Sequence, residues 1–310
     1  MGAEGQYIQY LISGITLGSI YALIALALVV TFNITGIFNL AIGEFVTIGA
    51  LSAVTLRAAG CPDVPAFVLA VLIAGVIAAT MERTTIYPAR KASVLTVIII
   101  TIGVAIALRG AALLIWGTHP YPLPSFVDIP PLALWGAVII PQSLFVLALA
   151  VVAVALLFAF FDLTYVGKAV RAAMINRNAA RLVGINPARL SLLAFVFTGM
   201  LAALAGIFVA PITTATYDMG FMLGLKGFVA AILGGVTNVK GAIIGGLLLG
   251  IIEAFAIGTL SSGMKDGIAM VVMIIVLLIC PTGIMGLGVS NKRTGSWIAW
   301  LRQSVGIGSR

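Results

Sequence analysis

Long apolar runs, separated by short polar segments, make up most of this chain. A helix that crosses the hydrocarbon core of a membrane needs about 20 consecutive apolar residues. Runs of that length occupy 9–31, 36–56, 65–86, 94–116, 143–163, 190–210, 241–260 and 266–288. The pattern predicts an all-α integral membrane protein, a polytopic helical bundle of about eight spans.

A further apolar run, Gly227 to Val236, is about half as long as a span. The polar stretch TTATYDMG precedes it, and the turn TNVKGA follows it. Helices of this length are tolerated at membrane depth only where they are buried in protein or line a cavity. We therefore predict a broken or re-entrant half-helix in this part of the chain.

Composition agrees with a membrane protein and excludes several kinds of site. Of the 310 residues, 62% are apolar and 8% are charged, whereas a soluble domain has about 25% charged residues. Cys61 and Cys280 are too few for a disulfide framework or a metal cluster. The single histidine, His119, leaves no histidine-based metal site or charge relay. We expect no metal and no cofactor on this chain.

The basic residues are distributed unevenly between the two sides of the predicted bundle. Lys and Arg favour the cytoplasmic side of a membrane protein. If 82–93, 164–189, 237–240 and 289–310 are cytoplasmic, that side holds 13 of the 17 basic residues. They are Arg83, Arg90, Lys91, Lys168, Arg171, Arg177, Arg181, Arg189, Lys240, Lys292, Arg293, Arg302 and Arg310.

The remaining four basic residues complete the predicted topology. Arg57, Lys226 and Lys265 fall outside, and Arg109 falls within a span. This places the N-terminus outside and the C-terminus in the cytoplasm. The net charge of +8 then reflects topology, and nucleic-acid binding is not expected.

Two parts of the chain are distinguished by this map. Residues 1–289 form the predicted transmembrane domain, and 290–310 form a cytoplasmic tail whose SWIAWLRQSV sequence suits an anchor on membrane lipid. Segment 164–189, within the first part, carries a short basic helical pattern that ends at Gly184. Such a helix either lies on anionic headgroups or docks into a soluble partner and transmits its motion.

The order of residues in that segment resembles a known family. Ala172-Ala173, then Asn176 followed by Ala179-Ala180, then Gly184-Ile185-Asn186 is similar to the coupling helix of ABC importer permeases, and more narrowly of LivH-type permeases of branched-chain amino acid importers. Three further stretches agree in the same order along the chain. They are GITLGSIYALIALALVVTFNITGIFNLAIGE (14–44), AAILGGVTNVKGAIIGGLLLGIIEA (230–254) and LLICPTGIMG (277–286).

The resemblance implies a non-catalytic permease in a bacterial inner membrane. It implies a second permease chain (LivM-like, or a second copy), two cytoplasmic ATPases that use ATP and Mg, and an external solute-binding protein. The chain itself lacks a Walker A motif, since Ala169 follows Gly167-Lys168 where Ser or Thr belongs. Residues implied in ATPase coupling are Arg171, Ala172, Ala173, Asn176, Ala179, Ala180, Gly184 and Ile185.

Two departures from the family pattern leave the solute open. The family usually reads NFAHGE where this chain reads NLAIGE, with Leu40 and Ile42, and Ile175 stands where the coupling segment usually carries an acid. Branched-chain amino acids, amides, urea or aromatic acids all remain possible cargo. Autonomous transport or channel activity is the alternative. A membrane enzyme is disfavoured, because no cluster of nucleophiles, acids or metal ligands is present.

Ionisable groups within the predicted spans are the candidate pathway residues. Glu44 would lie about 12 Å above Gly36 if the span were a continuous helix. Since a charge at the centre of a membrane helix costs about 2.5–3.5 kcal/mol, we expect Glu44 to face protein or water. It either makes a structural hydrogen bond or, with Asn39, lines the inner half of the path. Candidate pathway residues are therefore Tyr21, Asn39, Glu44 and Glu253.

A second pair of ionisable residues and a set of glycines have structural interpretations. Glu253 and Arg109 lie at similar predicted depths, so we expect them to pair between helices. Small residues four apart let membrane helices approach closely, with a hinge as the less favoured alternative. The glycines with this spacing are Gly14, Gly18, Gly241, Gly245, Gly246 and Gly250.

Overall fold

The computed structural model describes nearly all of the membrane-embedded part of the chain. The described residues are 3–127, 129–134, 137–175, 180, 182–259, 265–279 and 283–285. The predicted tail, 290–310, and two residues assigned to coupling, Asn176 and Ala179, lie outside the described residues.

The described elements are almost all helical. In chain order they are α1 (Ala3–Thr35), α2 (Ile42–Ala58), α3 (Asp63–Met81), a π-helical turn (Glu82–Ile86), α4 (Tyr87–Ala89), α5 (Val94–Trp116), strands β1 (Leu132–Leu134) and β2 (Ala137–Ile139), α6 (Pro141–Leu163), α7 (Tyr165–Ile175), α8 (Pro187–Thr213), α9 (Met219–Gly234), α10 (Val239–Thr259) and α11 (Lys265–Ile279). We call the end of the bundle that carries α7 the inner end, and the end that carries the strands the outer end.

The apolar helices confirm the helical membrane fold but divide into two length classes. Among the described residues, six helices are long and apolar enough to cross a membrane: α1, the run from α3 through α4, α5, α6, α8 and α10. Helices α2, α9 and α11 have 17, 16 and 15 residues. Short helices of this kind require surrounding protein, because lipid cannot satisfy the backbone groups at their ends.

Helix α1 is the central element of the bundle. Every residue from Ile20 to Val30 is buried, with helices α8, α9 and α10 packed around α1. Its sequence in this region is apolar on all faces, as is typical of a helix enclosed by other helices. The other long helices have one face exposed, on which apolar residues such as Ile106 and Leu156 lie.

The two predicted small-residue faces of α1 and α10 are in direct contact. A Cβ on Gly14 would lie 2.7 Å from the Cα of Ile251, and one on Gly18 would lie 2.8 Å from the Cα of Leu247. Gly246 and Gly250 meet the backbone of α1 at Ala22 and Gly18 in the same way. The backbones of α1 and α10 therefore approach more closely than they could if these positions carried side chains.

The other two predicted packing glycines lie on a different face of α10. Gly241 and Gly245 contact Gly234 and Ala230 near the inner end of α9. Helix α10 thus uses one glycine face against α1 and another against α9, which brings the short helix α9 into the bundle core.

The predicted span 36–56 is wrong in its first part. Helix α1 ends at Thr35, Gly36 has φ +73°, and no helix forms again until Ile42. Leu40 and Asn39 in this break are held by Thr101 on α5 and by local backbone contacts, the Leu40 N–H lying 3.4 Å from the Thr101 hydroxyl. Glycine at 36 permits the left-handed conformation that stops α1.

The predicted half-helix 227–236 is also shorter than the observed element. Helix α9 begins at Met219, eight residues earlier, and ends at Gly234. The sequence pattern placed the start of the half-helix after Lys226, because lysine side chains are normally exposed to water. In the folded chain Lys226 is buried and paired with carboxylates, so it does not end the helix.

We predict that Gly250→Leu destabilises the bundle. Its side chain would have to displace the α1 backbone at Gly18, and such overpacking costs about 1–3 kcal/mol of unfolding free energy. The temperature at which the detergent-solubilised chain loses its monodisperse chromatographic peak should fall. Gly103→Leu on α5 is the matched control, because a Cβ there meets open space. Equal losses in both variants would contradict the assigned role of the α1–α10 contact.

Candidate functional site

A buried ion pair joins α2 and α5 inside the bundle. Arg109 donates to Glu44 Oε1 from Nη2 at 2.5 Å and from Nε at 3.2 Å. The Glu44 side chain is almost fully buried, whereas that of Arg109 is 27% exposed. The guanidinium also lies over the ring of Phe221 on α9, with Cζ 4.5 Å from the ring centroid. Three elements therefore meet at this pair.

The expected pairing of Arg109 with Glu253 is wrong. Glu253 pairs instead with Lys226, while Arg109 pairs with Glu44. The sequence estimate treated 36–44 as a helix with a rise of about 1.5 Å per residue. The break before α2 is non-helical, and extended chain rises about 3.3 Å per residue. Glu44 consequently lies level with Arg109, about 22 Å along α5 from Val94.

A second charge cluster joins α9, α10 and α11. Lys226 Nζ lies 2.6 Å from Glu253 Oε1 and 2.8 Å from Asp266 Oδ1. The lysine residue is 4% exposed, and its ammonium lies 5.7 Å from the ring centroid of Tyr21 on α1. Tyr21 and Glu253, both predicted as pathway residues, are thus brought together.

Sequence reasoning missed the roles of Lys226 and Asp266. The positive-inside count placed Lys226 in an outer loop, and the structure corrects this, because Lys226 lies buried in the middle of α9. The available signal was its position as the only charged residue within the apolar stretch GFMLGLKGFVAAILG. Ionisable residues in such stretches usually pair with one another inside the protein.

Both clusters leave carboxylate oxygens without partners. Glu44 Oε2 and Glu253 Oε2 are buried and accept no hydrogen bond from any described residue. A buried polar atom without a partner is costly. Each of these oxygens can therefore still accept a hydrogen bond from a donor that reaches it.

The break before α2 offers a third group of polar atoms near Glu44. Asn39 is buried, and its Oδ1 accepts from the Ala41 N–H at 3.1 Å. Its Nδ2 has no hydrogen-bond partner within the described part of the chain. Helix α2 begins beside it, and the N-terminus of a helix carries a partial positive charge. The break and the first turn of α2 therefore carry one unpaired donor, Asn39 Nδ2, and one unpaired acceptor, Glu44 Oε2, among the described residues.

The predicted coupling segment begins with α7 beneath the bundle. Gly167 packs against the backbone of Phe161 on α6, and the Arg171 guanidinium pairs with Asp162 near the end of α6. Ala172 is exposed and Ala173 is buried. One face of α7 is therefore held to the bundle while the opposite face stays accessible.

The end of that segment has a defined turn into α8. Gly184 has φ +83°, and Asn186 caps α8 through Oδ1, which accepts from the Ala188 N–H at 2.9 Å. Ala180 is buried and Ile185 is half-buried. Both ends of segment 164–189 are thus fixed to membrane helices.

Comparison with known proteins identifies the family. Residues 10–277 match the sequence profile described as the permease component of the branched-chain amino acid transport system. This chain belongs to that family. The high-affinity branched-chain amino acid transport system permease proteins LivH of Salmonella typhimurium and BraD of Pseudomonas aeruginosa are each 33% identical to it, over 90% of this chain and 96% of theirs. A probable LivH permease of Methanocaldococcus jannaschii is 29% identical over 86% of this chain and 89% of its own length.

The family match confirms the resemblance drawn from the coupling segment and from the three other stretches. The chain is a polytopic helical membrane permease, and its relatives are named as permease proteins of branched-chain amino acid transport systems. The two buried charge clusters and the break before α2 are therefore features of a translocation protein.

We predict that Lys226→Met is strongly destabilising. Removing the ammonium leaves Glu253 buried without a cation, a change that costs about 3–5 kcal/mol of unfolding free energy. The double variant Lys226→Met with Glu253→Gln should recover part of that loss in a thermal unfolding series. Arg57→Met is the control: it breaks the more exposed Arg57–Asp63 pair and should cost about 0–1 kcal/mol. An equal loss in the control would show that burial of Lys226 is not the cause.

Proposed function

We propose that this chain is a membrane permease subunit of an ATP-driven importer for branched-chain amino acids or closely related small solutes. The observation that carries the proposal is the family match, which extends over residues 10–277 and thus over nearly the whole described bundle. The relatives that cover at least 86% of this chain are all named as branched-chain amino acid permeases. The polar break before α2 gives the proposal a physical site.

The start of α2 supplies the chemistry that a zwitterionic solute needs. The free Nδ2 of Asn39 can donate to a carboxylate, whose charge the partial positive charge at the N-terminal end of α2 also favours. The free Oε2 of Glu44 can accept from an ammonium. Arg109 holds the other carboxylate oxygen of Glu44, Oε1, by direct contact. Tyr21 and Glu253, which both contact Lys226 of α9, form the second group of polar residues along the proposed path.

Segment 164–189 is the proposed receiver of the ATPase stroke. A segment that is fixed to α6 near its start and that enters α8 through the turn at Gly184 can transmit force to both helices. Arg171, Ala172, Ala173, Ala180, Gly184 and Ile185 are its described members. ATP and Mg would then be bound by two separate cytoplasmic ATPases.

The remaining partners and the orientation follow from the same proposal. A second permease chain, LivM-like or a second copy, would complete the translocation unit, and an external binding protein would deliver the solute. The distribution of Lys and Arg supports an N-terminus outside and a C-terminus in the cytoplasm of a bacterial inner membrane. The tail 290–310 would lie on the lipid surface.

We predict that gentle purification from the native membrane recovers this chain with ATPases that carry Walker A motifs and with a second permease, identified by mass spectrometry. Because Ala172 is exposed on α7, Ala172→Trp should release the ATPases while leaving the permease pair intact. Ala107→Trp, on the largely exposed helix α5, is the matched control. Purification of the chain alone, with ATP-independent transport in liposomes, would instead establish an autonomous transporter.

We predict that Asn39→Ala and Glu44→Gln each lower leucine import by about tenfold, the effect of one lost charge-assisted or buried hydrogen bond. Import is measured in proteoliposomes that contain the assembled complex and its binding protein. Asn33→Ala is the control, because the Asn33 side chain donates to the Thr237 carbonyl near the inner end and to no other described residue. If both variants transport normally while the complex assembles, the start of α2 is not part of the path.

A further inference from the structure

A cavity of about 370 Å³ lies at the inner end of the bundle, beside the first residues of the break before α2. The end of α1, the π-helical turn, α4, the beginning of α5 and the beginning of α8 enclose it on one side. Ala173, Ala180 and Ile185 of segment 164–189 enclose it on the other. Its volume is within the range of about 300–1,000 Å³ that is usual for sites that bind small molecules.

Glu82 supplies an unsatisfied negative charge on the wall of this cavity. The residue is 1% exposed, and its Oε2 accepts no hydrogen bond from any described residue. The nearest cation among the ion pairs of the described residues is Arg83 Nε at 4.0 Å, on a half-exposed side chain that does not line the cavity. An ionised carboxylate buried in this way is expensive unless a donor reaches it.

The local backbone places Glu82 on this wall together with a basic residue. A π-helical turn, Glu82–Ile86, is inserted between α3 and α4, and single turns of this kind occur frequently at functional sites. Glu82, Ile86, Tyr87 and Arg90 all line the cavity. Arg90 stacks on Tyr87, with Cζ 3.9 Å from the ring centroid, and forms no ion pair with a described carboxylate.

The rest of the lining is mostly apolar. Ile37, Val94, Val97 and Leu190 contribute aliphatic side chains, and Ser191 contributes a hydroxyl. From its described residues, the cavity therefore presents one carboxylate, one guanidinium and an aliphatic wall. A lysine side chain from a partner protein would satisfy Glu82 but would leave Arg90 unpaired and much of the volume empty. A free amino acid with an apolar side chain matches all three features.

We propose that this cavity binds an apolar amino acid from the cytoplasmic side, with its ammonium group at Glu82 and its carboxylate at Arg90. The choice of a branched-chain amino acid rests on the proposed function. The cavity adjoins the inner end of the break before α2, since Gly36 and Ile37 line it. Its charged groups differ from those of the proposed path, because none of Asn39, Glu44 and Arg109 lines it.

Occupancy of the cavity opposes the ATPase stroke. The ligand contacts the bundle through Glu82 and Arg90 and contacts segment 164–189 through Ala173, Ala180 and Ile185. A ligand shifts a conformational equilibrium toward the state to which it binds more tightly. Accumulated amino acid therefore holds the coupling segment against the bundle and slows ATP hydrolysis.

The test uses the complete complex in proteoliposomes with the binding protein enclosed in the lumen. ATP added to the bath is hydrolysed only by complexes whose ATPases, and hence whose cavities, face the bath. Leucine added to the bath should lower the ATPase rate about threefold or more at saturation. Leucinamide, which lacks the carboxylate, and 4-methylpentanoate, which lacks the ammonium group, should each be at least about tenfold weaker.

The variants assign the effect to the cavity. Glu82→Gln and Arg90→Gln should each raise the leucine concentration needed for inhibition about tenfold, with the uninhibited ATPase rate unchanged. Arg83→Gln is the matched control, since Arg83 neighbours Glu82 but does not line the cavity. Leucine should inhibit the ATPase activity of this variant as strongly as that of the unmodified complex. Full inhibition in the Glu82 and Arg90 variants, or no inhibition by leucine at all, would overturn the proposal.

The remaining outcomes separate this proposal from the proposed function. Leucine import measured in the same preparation tests the proposed function directly. Normal import without inhibition overturns the cavity proposal alone, and inhibition without import overturns only the assigned cargo. If Glu82→Gln instead releases the ATPases during purification, the cavity receives a basic side chain of the ATPase, and the amino-acid proposal is wrong.

Discussion

The close contact between α1 and α10 is the interaction on which the rest of the bundle depends. In lipid, apolar side chains gain little by leaving one hydrocarbon surface for another, so helices associate mainly through packing at short range. Gly14 and Gly18 on α1, with Gly246 and Gly250 on α10, remove the side chains that would keep the backbones apart. With these two helices together, α8 and α9 can enclose α1, and the short helices gain the protein surroundings that they require.

That enclosure explains how ionisable residues can be kept at membrane depth. Glu44, Lys226 and Glu253 are each buried, and each is paired across two helices. Pairing lowers the cost of burial but leaves individual oxygens unsatisfied, notably Oε2 of Glu44 and of Glu253. The clusters therefore join neighbouring helices and, under the proposed function, still offer hydrogen-bonding atoms to a polar solute. At the inner end, Glu82 Oε2 is likewise buried and accepts no hydrogen bond from any described residue.

Local patterns in the sequence predicted the helical membrane fold, the small-residue faces and the family. These features depend on runs of apolar residues, on small residues four apart and on short motifs. All of these can be recognised in the sequence without knowing the tertiary contacts. The errors came where an element departed from its local pattern. The apolar run 36–56 gave no sign that the chain would stay non-helical from Gly36 until α2 begins at Ile42. Lys226 was predicted to precede a half-helix because its carboxylate partners are distant in sequence.

The sequence by itself determined that the chain crosses a membrane repeatedly and belongs to a permease family, because hydropathy and family motifs are properties of residue order. Only the tertiary structure decided which charges meet. Glu44 lies 65 residues from Arg109, and Lys226 lies 27 residues from Glu253. Estimated depths alone had paired Arg109 with Glu253, which is wrong. The positions of these groups depend on a non-helical break and on helix packing, and so does the cavity beside Glu82. None of these is encoded in any single stretch of sequence.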